Sequence, residues 1–388
     1  MFFGGRMAAR ESGHPYFYFG NCQSIFAIKK DNMTINSLPS GKVFLGNIPD
    51  IIILTAKTRL AVTIALADKT IYEEYLYPAD GEVVVSDLAD IFRPYARQQL
   101  AVSATITIRE QTVEGETETD VTTKQASLQV LYTSVDIVGV DCESFLGNHF
   151  LTLLQECKRT ALGRLEYLHY LGTGKATVTA YYRQHAADGS EETRTFTATA
   201  VAGNDIYTTI DVSSSRFTAD ALDLLYYEVE AGKRLMRFII DPSQPDCAPC
   251  LLFTNSFGCQ ELIYCEGKHE VNPEYTRDAA YIGGLKTNYR ITEQRNFNAD
   301  TGYLSRDMAN WAEDLFRSDE VYIVNFVDGN PVVGKRITIN SSTSKNDNLH
   351  DTLPRFTFSY VYAQRQHNVL DLQRGGRIFD NTFDNTFN

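Results

Sequence analysis

Apolar and polar residues alternate through residues 41–140 in short runs that predict β-strands. Turn-forming triplets at 79–81 and 113–115 separate these runs, as in antiparallel sheets. We therefore predict a first β-sandwich module over residues 41–140. Its predicted strands are 42–45, 51–54, 61–66, 82–85, 100–108 and 127–132.

The apolar period changes in residues 141–171, which we predict to be a linking segment built on one amphipathic helix between positions 142 and 160. Gly163 follows as a stop signal. The apolar residues on one helical face are Phe145, Phe150, Leu153, Leu154 and Cys157.

Alternation returns in residues 172–246 and predicts a second β-sandwich module. A hairpin, a strand ending in acidic or hydroxyl residues, a linking segment and a further strand follow in the same order as in the first module. The offset between Val84-Val85-Ser86-Asp87 and its counterpart, Ile210-Asp211-Val212-Ser213, is about 125 residues. This order predicts two topologically similar modules in tandem.

Residues 247–364 mix both periods and predict a C-terminal α+β region. Ser305 is placed to cap a helix that runs through Phe316, and strands are predicted on both sides of it. Together the segments predict a mainly β fold of tandem antiparallel β-sandwich modules with a few short helices.

Aromatic residues mark both ends of the chain, an N-terminal arm over 1–40 and a C-terminal tail over 365–388. Phenylalanine recurs every four residues in the tail, which forms either a helix or an extended arm. The tail either folds back on its own subunit or docks on a neighbouring subunit. The N-terminal run is either a buried strand or a stacking platform for sugars or bases. The predicted subunit-contact residues are Phe379, Phe383, Phe387, Tyr16, Phe17 and Tyr18.

The formal net charge of −13 makes nucleic acid a poor partner, because a chain of this sign repels phosphate. No apolar signal segment follows Met1, and the stretch Ile51–Leu54 is far too short to span a bilayer. We expect no membrane partner and assembly in a reducing cytoplasm.

Four of the seven cysteines are clustered with the spacing C-x2-C-x8-C-x5-C. A C-x-x-C pair can supply two zinc ligands, but the second half lacks another such pair. Whether these cysteines bind zinc or only pack stays open, and no cofactor is predicted. They are Cys247, Cys250, Cys259 and Cys265.

The usual enzyme signatures are missing from the sequence. Gly172-Thr173-Gly174-Lys175 imitates the end of a phosphate loop, but Ala176 replaces the hydroxyl that would bind magnesium. The seven histidines show no metal-ligand pairing. We therefore expect no enzymatic activity.

Several segments in the C-terminal 140 residues or so, among them Phe253–Gly258, Leu262–Gly267, Trp311–Ser318 and the closing Phe-Asp-Asn-Thr repeat, carry a resemblance. Through them the chain resembles virion proteins of tailed phages and prophages of gut Bacteroidetes. The resemblance implies a tail-associated structural subunit of the virion, in a ring or hub, that forms a homo-oligomer and contacts other virion proteins. The rival hypothesis is a carbohydrate-binding or adhesin-like β-sandwich protein with a glycan as ligand. The other segments that carry the resemblance are Gly302–Leu304 and Val321-Tyr322.

Overall fold

The computed structural model describes residues 33–364 except 68, 115–116, 174, 186–188, 202–205, 328–329 and 346–351. All six predicted subunit-contact residues lie outside the described residues, so their role stays a prediction. They are Tyr16, Phe17, Tyr18, Phe379, Phe383 and Phe387.

Strands dominate the described residues, so the predicted mainly β fold is confirmed. Module 1 pairs a five-stranded sheet, β5-β4-β7-β8-β2, with a three-stranded sheet, β1-β3-β6, and one helix. Met33 is buried in its core, so the module includes residues from the predicted N-terminal arm. Its elements are β1 (Thr34–Asn36), β2 (Gly41–Phe44), β3 (Ile51–Leu54), β4 (Arg59–Leu66), β5 (Lys69–Leu76), β6 (Glu82–Val85), α1 (Leu88–Gln99), β7 (Ala101–Glu114) and β8 (Thr117–Leu131).

The helix α1 was not predicted. Leu88, Phe92 and Ala96 are its buried residues, and their spacing of four is the helical signal. Pro94 inside the helix weakens that signal, because proline removes a backbone donor and normally ends a helix. The apolar stripe packs into the core of module 1, which stabilises α1 despite the proline.

The linking helix is shorter than predicted. Helix α2 (Cys142–Asn148) begins at Asp141, whose carboxylate accepts a hydrogen bond from the Ser144 amide at 3.0 Å. The prediction is wrong beyond Asn148, because Cys157–Thr160 forms strand β9. Phe150 and Leu154 reach the core from an irregular segment, so their helical spacing does not reflect a helix.

The five-stranded sheet of module 2 repeats the topology of the one in module 1, whereas the three-stranded sheets of the two modules differ in their central and third strands. The five-stranded sheet of module 2 has the order β12-β11-β15-β16-β9, and its three-stranded sheet has the order β10-β14-β13. In module 2 the edge strand β9 runs parallel to its neighbour β16, just as β2 runs parallel to β8 in module 1. The elements are β9, β10 (Tyr167–Tyr170), β11 (Ala176–Gln184), β12 (Glu191–Ala198), β13 (Ala200–Val201), β14 (Thr208–Asp211), β15 (Leu222–Ala231) and β16 (Arg234–Ile240).

The C-terminal region is a seven-stranded sheet in the order β18-β17-β21-β22-β23-β20-β19 with one helix. The predicted helix is confirmed, since the Ser305 hydroxyl accepts from the Met308 amide at the start of α3. Met308, Trp311 and Leu315 of α3 join the core that module 2 shares with this sheet. The elements are β17 (Cys250–Thr254), β18 (Gln260–Tyr264), β19 (Glu270–Ile282), β20 (Leu285–Asp300), α3 (Arg306–Arg317), β21 (Val321–Val327), β22 (Asn330–Lys345) and β23 (Arg355–Tyr362).

One arrangement recurs in all three regions: a hairpin, a connection, a helical turn or helix, and a second hairpin. The first strands of the two hairpins pair with each other, as β4 with β7, β11 with β15, and β17 with β21. The connection spans residues 77–87 in module 1 and 199–213 in module 2, but 265–305 in the C-terminal region. The C-terminal connection therefore carries a large insertion, most of which is β19 and β20.

The regions meet around a small apolar cluster in which the rings of Phe44, Phe145 and Phe257 contact one another. Gly258 adjoins this cluster with a φ of +78°, and a Cβ there would lie 2.3 Å from Leu100 Cδ2. Both the backbone conformation and the close approach therefore require glycine.

We expect Gly258→Ala to lower the free energy of unfolding by roughly 1–3 kcal/mol, because alanine adds backbone strain and displaces Leu100. Gly139→Ala is the matched control, since Gly139 has a φ of +85° and open space around its missing Cβ. Urea unfolding followed by circular dichroism measures both variants. Equal losses in the two variants would show that the contact with Leu100 contributes nothing.

Candidate functional site

The insertion in the C-terminal region is a long two-stranded ribbon. Strand β20 pairs with β23 only over Asn296–Asp300, and β19 pairs with β20 alone among the described strands. Between the cross-strand pair of Pro273 with Arg295 and the pair of Ile282 with Leu285, β19 and β20 pair with each other and with no further described strand. This stretch is about 30 Å long at the usual rise of a strand. We call residues 273–295 the arm.

Local sequence explains the hairpin. Gly283 and Gly284 have φ values of +60° and +86°, which fit a two-residue turn that requires positive φ at both central positions. Tyr289 sits at a register shift between Asp278 and Ala279, as in a β-bulge that increases the local twist. Pro273 lies on the edge strand β19, and proline has no backbone N–H that would be left without a hydrogen-bond acceptor there.

The arm exposes six large apolar side chains to solvent. Tyr281 is 78% exposed and Leu285 is 73% exposed, at the tip. A two-stranded ribbon is at best marginally stable alone in water, and clustered exposed apolar groups mark interaction surfaces. The six residues are Tyr275, Tyr281, Ile282, Leu285, Tyr289 and Ile291.

The arm differs in charge from the rest of the chain. It contains four cationic and three acidic side chains, a net charge of +1 on a chain of −13. Its outer half, residues 277–290, holds Arg277, Lys286 and Arg290 against the single acid Asp278, a net charge of +2. The arm is therefore suited to approach an acidic surface.

The base of the arm is firmly held by polar contacts. One oxygen of the buried Asp300 carboxylate accepts from Arg355 Nε at 2.6 Å, and the other accepts from the Gly302 amide at 2.7 Å. Gly267 packs so close to this carboxylate that a Cβ would lie 2.3 Å from it. These contacts fix the point at which the ribbon leaves the sheet.

Aromatic stacking reinforces the base. The rings of Phe297 and Tyr360 stack at 4.8 Å, and His269 stacks on both. The Tyr360 hydroxyl and His269 Nε2 are 2.8 Å apart. Burial lowers the pKa of His269 from its usual value, so the ring stays neutral at pH 7. These three rings thus form an uncharged stack beside the Asp300–Arg355 pair.

A second surface feature is a cavity of 680 Å³ between the C-terminal sheet and the small sheet of module 2, which we call the groove. Cross-strand pairing puts Leu252, Leu262, Val324 and Val333 on the same face of the C-terminal sheet. Leu165 and Tyr167 line the opposite wall.

The polar residues of the groove are mostly engaged. His169 contacts the Gln260 carbonyl at 2.8 Å and the Thr209 hydroxyl at 2.9 Å, and burial lowers its pKa. The ring is therefore neutral and donates to the carbonyl. Asp211, the acidic lining residue, pairs with Arg216 at 2.6 Å. The groove is thus an apolar surface without lysine or arginine among its lining residues.

A buried charged cluster lies deeper, where module 2 meets the C-terminal sheet. The Lys158 ammonium donates to Glu166 at 2.6 Å and lies 4.4 Å from the centre of the Trp311 ring. The Trp311 indole donates to Glu261, and burial raises the pKa of Glu261 to about 7. The adjoining cavity is only 10 Å³, room for about one water molecule and not for a substrate.

The structure divides the four clustered cysteines. Cys250 and Cys265 lie on neighbouring chain segments, since the Cys265 amide donates to the Pro249 carbonyl, whereas Cys259 belongs to the cluster around Phe257. Burial raises the pKa of Cys250, Cys259 and Cys265, which disfavours the thiolate that metals bind. Among the described residues, no group of three or more His, Cys, Asp or Glu is placed to hold a metal ion.

Neither the arm nor the groove was predicted from the sequence. A signal for the arm was present, because Gly283-Gly284 between alternating β-formers is typical of a tight hairpin. The groove had no local signal, because its walls come from strands far apart in the chain.

Comparison with known proteins adds no relative. No protein-family model matches the chain, and no curated protein matches its sequence. Within the described ranges, no helix has the length and apolar character to cross a membrane.

Proposed function

We propose that this chain is a non-enzymatic structural subunit of a phage particle, a tail, hub or adaptor ring component that assembles in the host cytoplasm and becomes part of the virion. Its partners are copies of itself and other virion proteins. The observation that carries the proposal is the arm, which places six large apolar side chains in solvent on an anchored ribbon. The resemblance of the C-terminal residues to virion proteins supports the phage setting.

The exposed apolar surface of the arm favours association. Burying apolar surface contributes about 25 cal/mol for each Å², so the exposed tyrosine, isoleucine and leucine side chains favour a bound state. The stacked base fixes the direction of the arm before binding, which reduces the entropy lost on association. Arms of this kind fit subunits that hold each other in rings or filaments.

The rival carbohydrate-binding function has less support. A glycan site presents aromatic rings in a concave surface, whereas Tyr275, Tyr281 and Tyr289 lie on an open ribbon. Saturable binding of a glycan by the monomer, with no self-association, would favour the rival.

The test shortens the arm. Residues 275–293 are replaced by Gly-Gly, so that Glu274 and Gln294, which already pair, flank the native type of turn. We expect the wild-type chain to form oligomers in size-exclusion chromatography with light scattering, and the shortened variant to run as a folded monomer. A wild-type chain that stays monomeric at high micromolar concentration contradicts the proposal.

A second variant keeps the length of the arm and changes only its apolar side chains. Replacing the apolar tip residues Tyr281, Ile282, Leu285 and Tyr289 by threonine keeps β-forming residues and removes apolar surface. This variant should also be monomeric, while the matched control Thr292→Ser on the same ribbon should assemble normally. The predicted tail contacts are tested separately by truncation of residues 378–388, which should weaken the oligomer and leave the monomer folded.

A further inference from the structure

The arm and the groove lie toward opposite ends of one sheet. In the C-terminal sheet, β18 is the first strand and β19 the last. At the usual spacing between strands these ends are about 30 Å apart. The arm extends from the β19 end, whereas the groove covers the other half of the sheet, from Leu262 on β18 to Val333 on the central strand β22. One copy therefore presents a projecting surface at one end and a receiving surface at the other.

We infer that the arm of one copy docks its apolar tip into the groove of the next copy. This inference rests on the proposed assembly function and names the partner surface for the arm. The tip carries Ile282 and Leu285, each more than half exposed. In the groove, Val333 is the strongly exposed apolar residue at 57%, and the buried Leu262 and Val324 form the apolar floor beneath it. Each surface removes the apolar surface of the other from water.

Charge favours a second copy as the occupant. Two copies at −13 repel each other, so association needs a local contact of opposite sign. The outer half of the arm carries +2, and no lysine or arginine lines the groove to oppose it. The cationic arm therefore approaches an acidic molecule at a place whose lining holds no lysine or arginine and whose acid, Asp211, is paired with Arg216.

The contact joins two different surfaces, so it is head-to-tail. Such contacts do not stop at a dimer, because each added copy brings a free arm and a free groove. They close into a ring when the rotation between copies permits, and otherwise they extend into a filament. This geometry fits a ring component better than a symmetric pair.

The first test alters the groove and leaves the arm intact. Val333→Arg places a cation in the groove, where it repels the arm, and the half-exposed position should tolerate arginine without unfolding. We expect the variant to be monomeric. Val84→Arg is the matched control, because Val84 is a strand residue of module 1 that is 49% exposed and lies outside the groove. It should assemble as the wild type does.

The second test mixes two defective proteins. The arm-shortened variant keeps its groove, and Val333→Arg keeps its arm, so their mixture holds one working contact. We expect a one-to-one heterodimer by light scattering, formed from two proteins that are each monomeric alone. Failure of the mixture to associate overturns the head-to-tail contact.

The outcomes separate the inference from the proposed function. If the arm-shortened variant is monomeric and Val333→Arg still assembles, the arm is an assembly device that binds elsewhere, and only the groove assignment is wrong. If the wild-type chain never assembles, the proposed function is wrong as well.

Cross-linking identifies the occupant directly. A photoreactive benzoylphenylalanine at position 333 is activated in a mixture of isotopically light and heavy chains. Cross-links to residues 273–295 of the other isotope support the inference. Cross-links to residues 1–32 or 365–388 instead would show that a terminal segment fills the groove, and would overturn it.

Discussion

Replacing Lys158 by methionine is expected to lower the free energy of unfolding by roughly 3–5 kcal/mol, the usual loss when one partner of a buried ion pair is removed. Lys158 is 7% exposed and Glu166 is 2% exposed, so the carboxylate would be left without its cation in a dry environment. Thr160 donates to the other oxygen of Glu166 at 2.8 Å and does not replace the lost charge. The Leu262 carbonyl, 3.0 Å from the ammonium, would also lose its donor.

Trp311 makes this prediction easy to measure. It is the single tryptophan of the chain, is 1% exposed and contacts Lys158, so its fluorescence reports unfolding at the site. Urea unfolding at pH 7.5 compares the variant with the wild type.

Two controls define the source of the loss. Adding Glu166→Gln to Lys158→Met should recover a large part of the stability, because it removes the unpaired charge. Glu313→Ala breaks the exposed pair between Glu313 and Arg317 on α3 and should cost less than about 1 kcal/mol. A loss in Lys158→Met as small as that in Glu313→Ala would contradict the role assigned to the buried pair.

Local sequence patterns were enough to predict the mainly β fold and α3. Strands such as β4 and β7 alternate or run apolar in the way that half-buried and central strands do, and Ser305 marks the start of α3. The topological match between the five-stranded sheets of modules 1 and 2 was also visible, because the order of hairpins and connections survives with little identity.

Local patterns were misleading where tertiary contacts decide the structure. Phe150 and Leu154 have helical spacing, but both are core residues on an irregular segment that leads into β9. Pairing with β16 satisfies the backbone of β9, and the Lys158–Glu166 contact adds a long-range constraint that no local rule contains.

The arm and the groove also depend on tertiary contacts, so local patterns do not predict them. Gly283-Gly284 predicts a hairpin, but nothing local says that the ribbon extends beyond its sheet, since that depends on where β23 stops pairing with β20. Leu165 and Val333 are far apart in sequence and meet only because two sheets pack together. The terminal aromatic residues were the visible candidates because their pattern is local.

Glu261→Gln is expected to stabilise the protein at pH 8 by up to roughly 3 kcal/mol and to have little effect near pH 4.5. Burial is the main cause that raises the pKa of Glu261 to about 7 in the folded state, against about 4.3 for an unfolded glutamate. Between these values the folded state binds more protons than the unfolded state. The free energy of unfolding therefore falls as the pH rises from about 4.5 to 7, and the cost of the buried charge is complete above pH 7.

The charged and polar groups that face Glu261 set the size of this effect. Lys158 and the donors Trp311 and Thr152 lower the pKa of Glu261, and Asp314 raises it, but burial outweighs the favourable contacts. Burial also raises the pKa of Asp314, so some decline with pH should remain in the Glu261→Gln variant.

The measurement is a series of urea unfolding curves from pH 4.5 to 8, followed by the fluorescence of Trp311. Glutamine can still accept the indole hydrogen bond, so the variant isolates the charge from the contact. Glu313→Gln on α3 is the matched substitution of a carboxylate at an exposed position. If the Glu261→Gln curve is also parallel to the wild type, the folded and unfolded states bind the same number of protons at Glu261 throughout this range, which contradicts a pKa raised by burial.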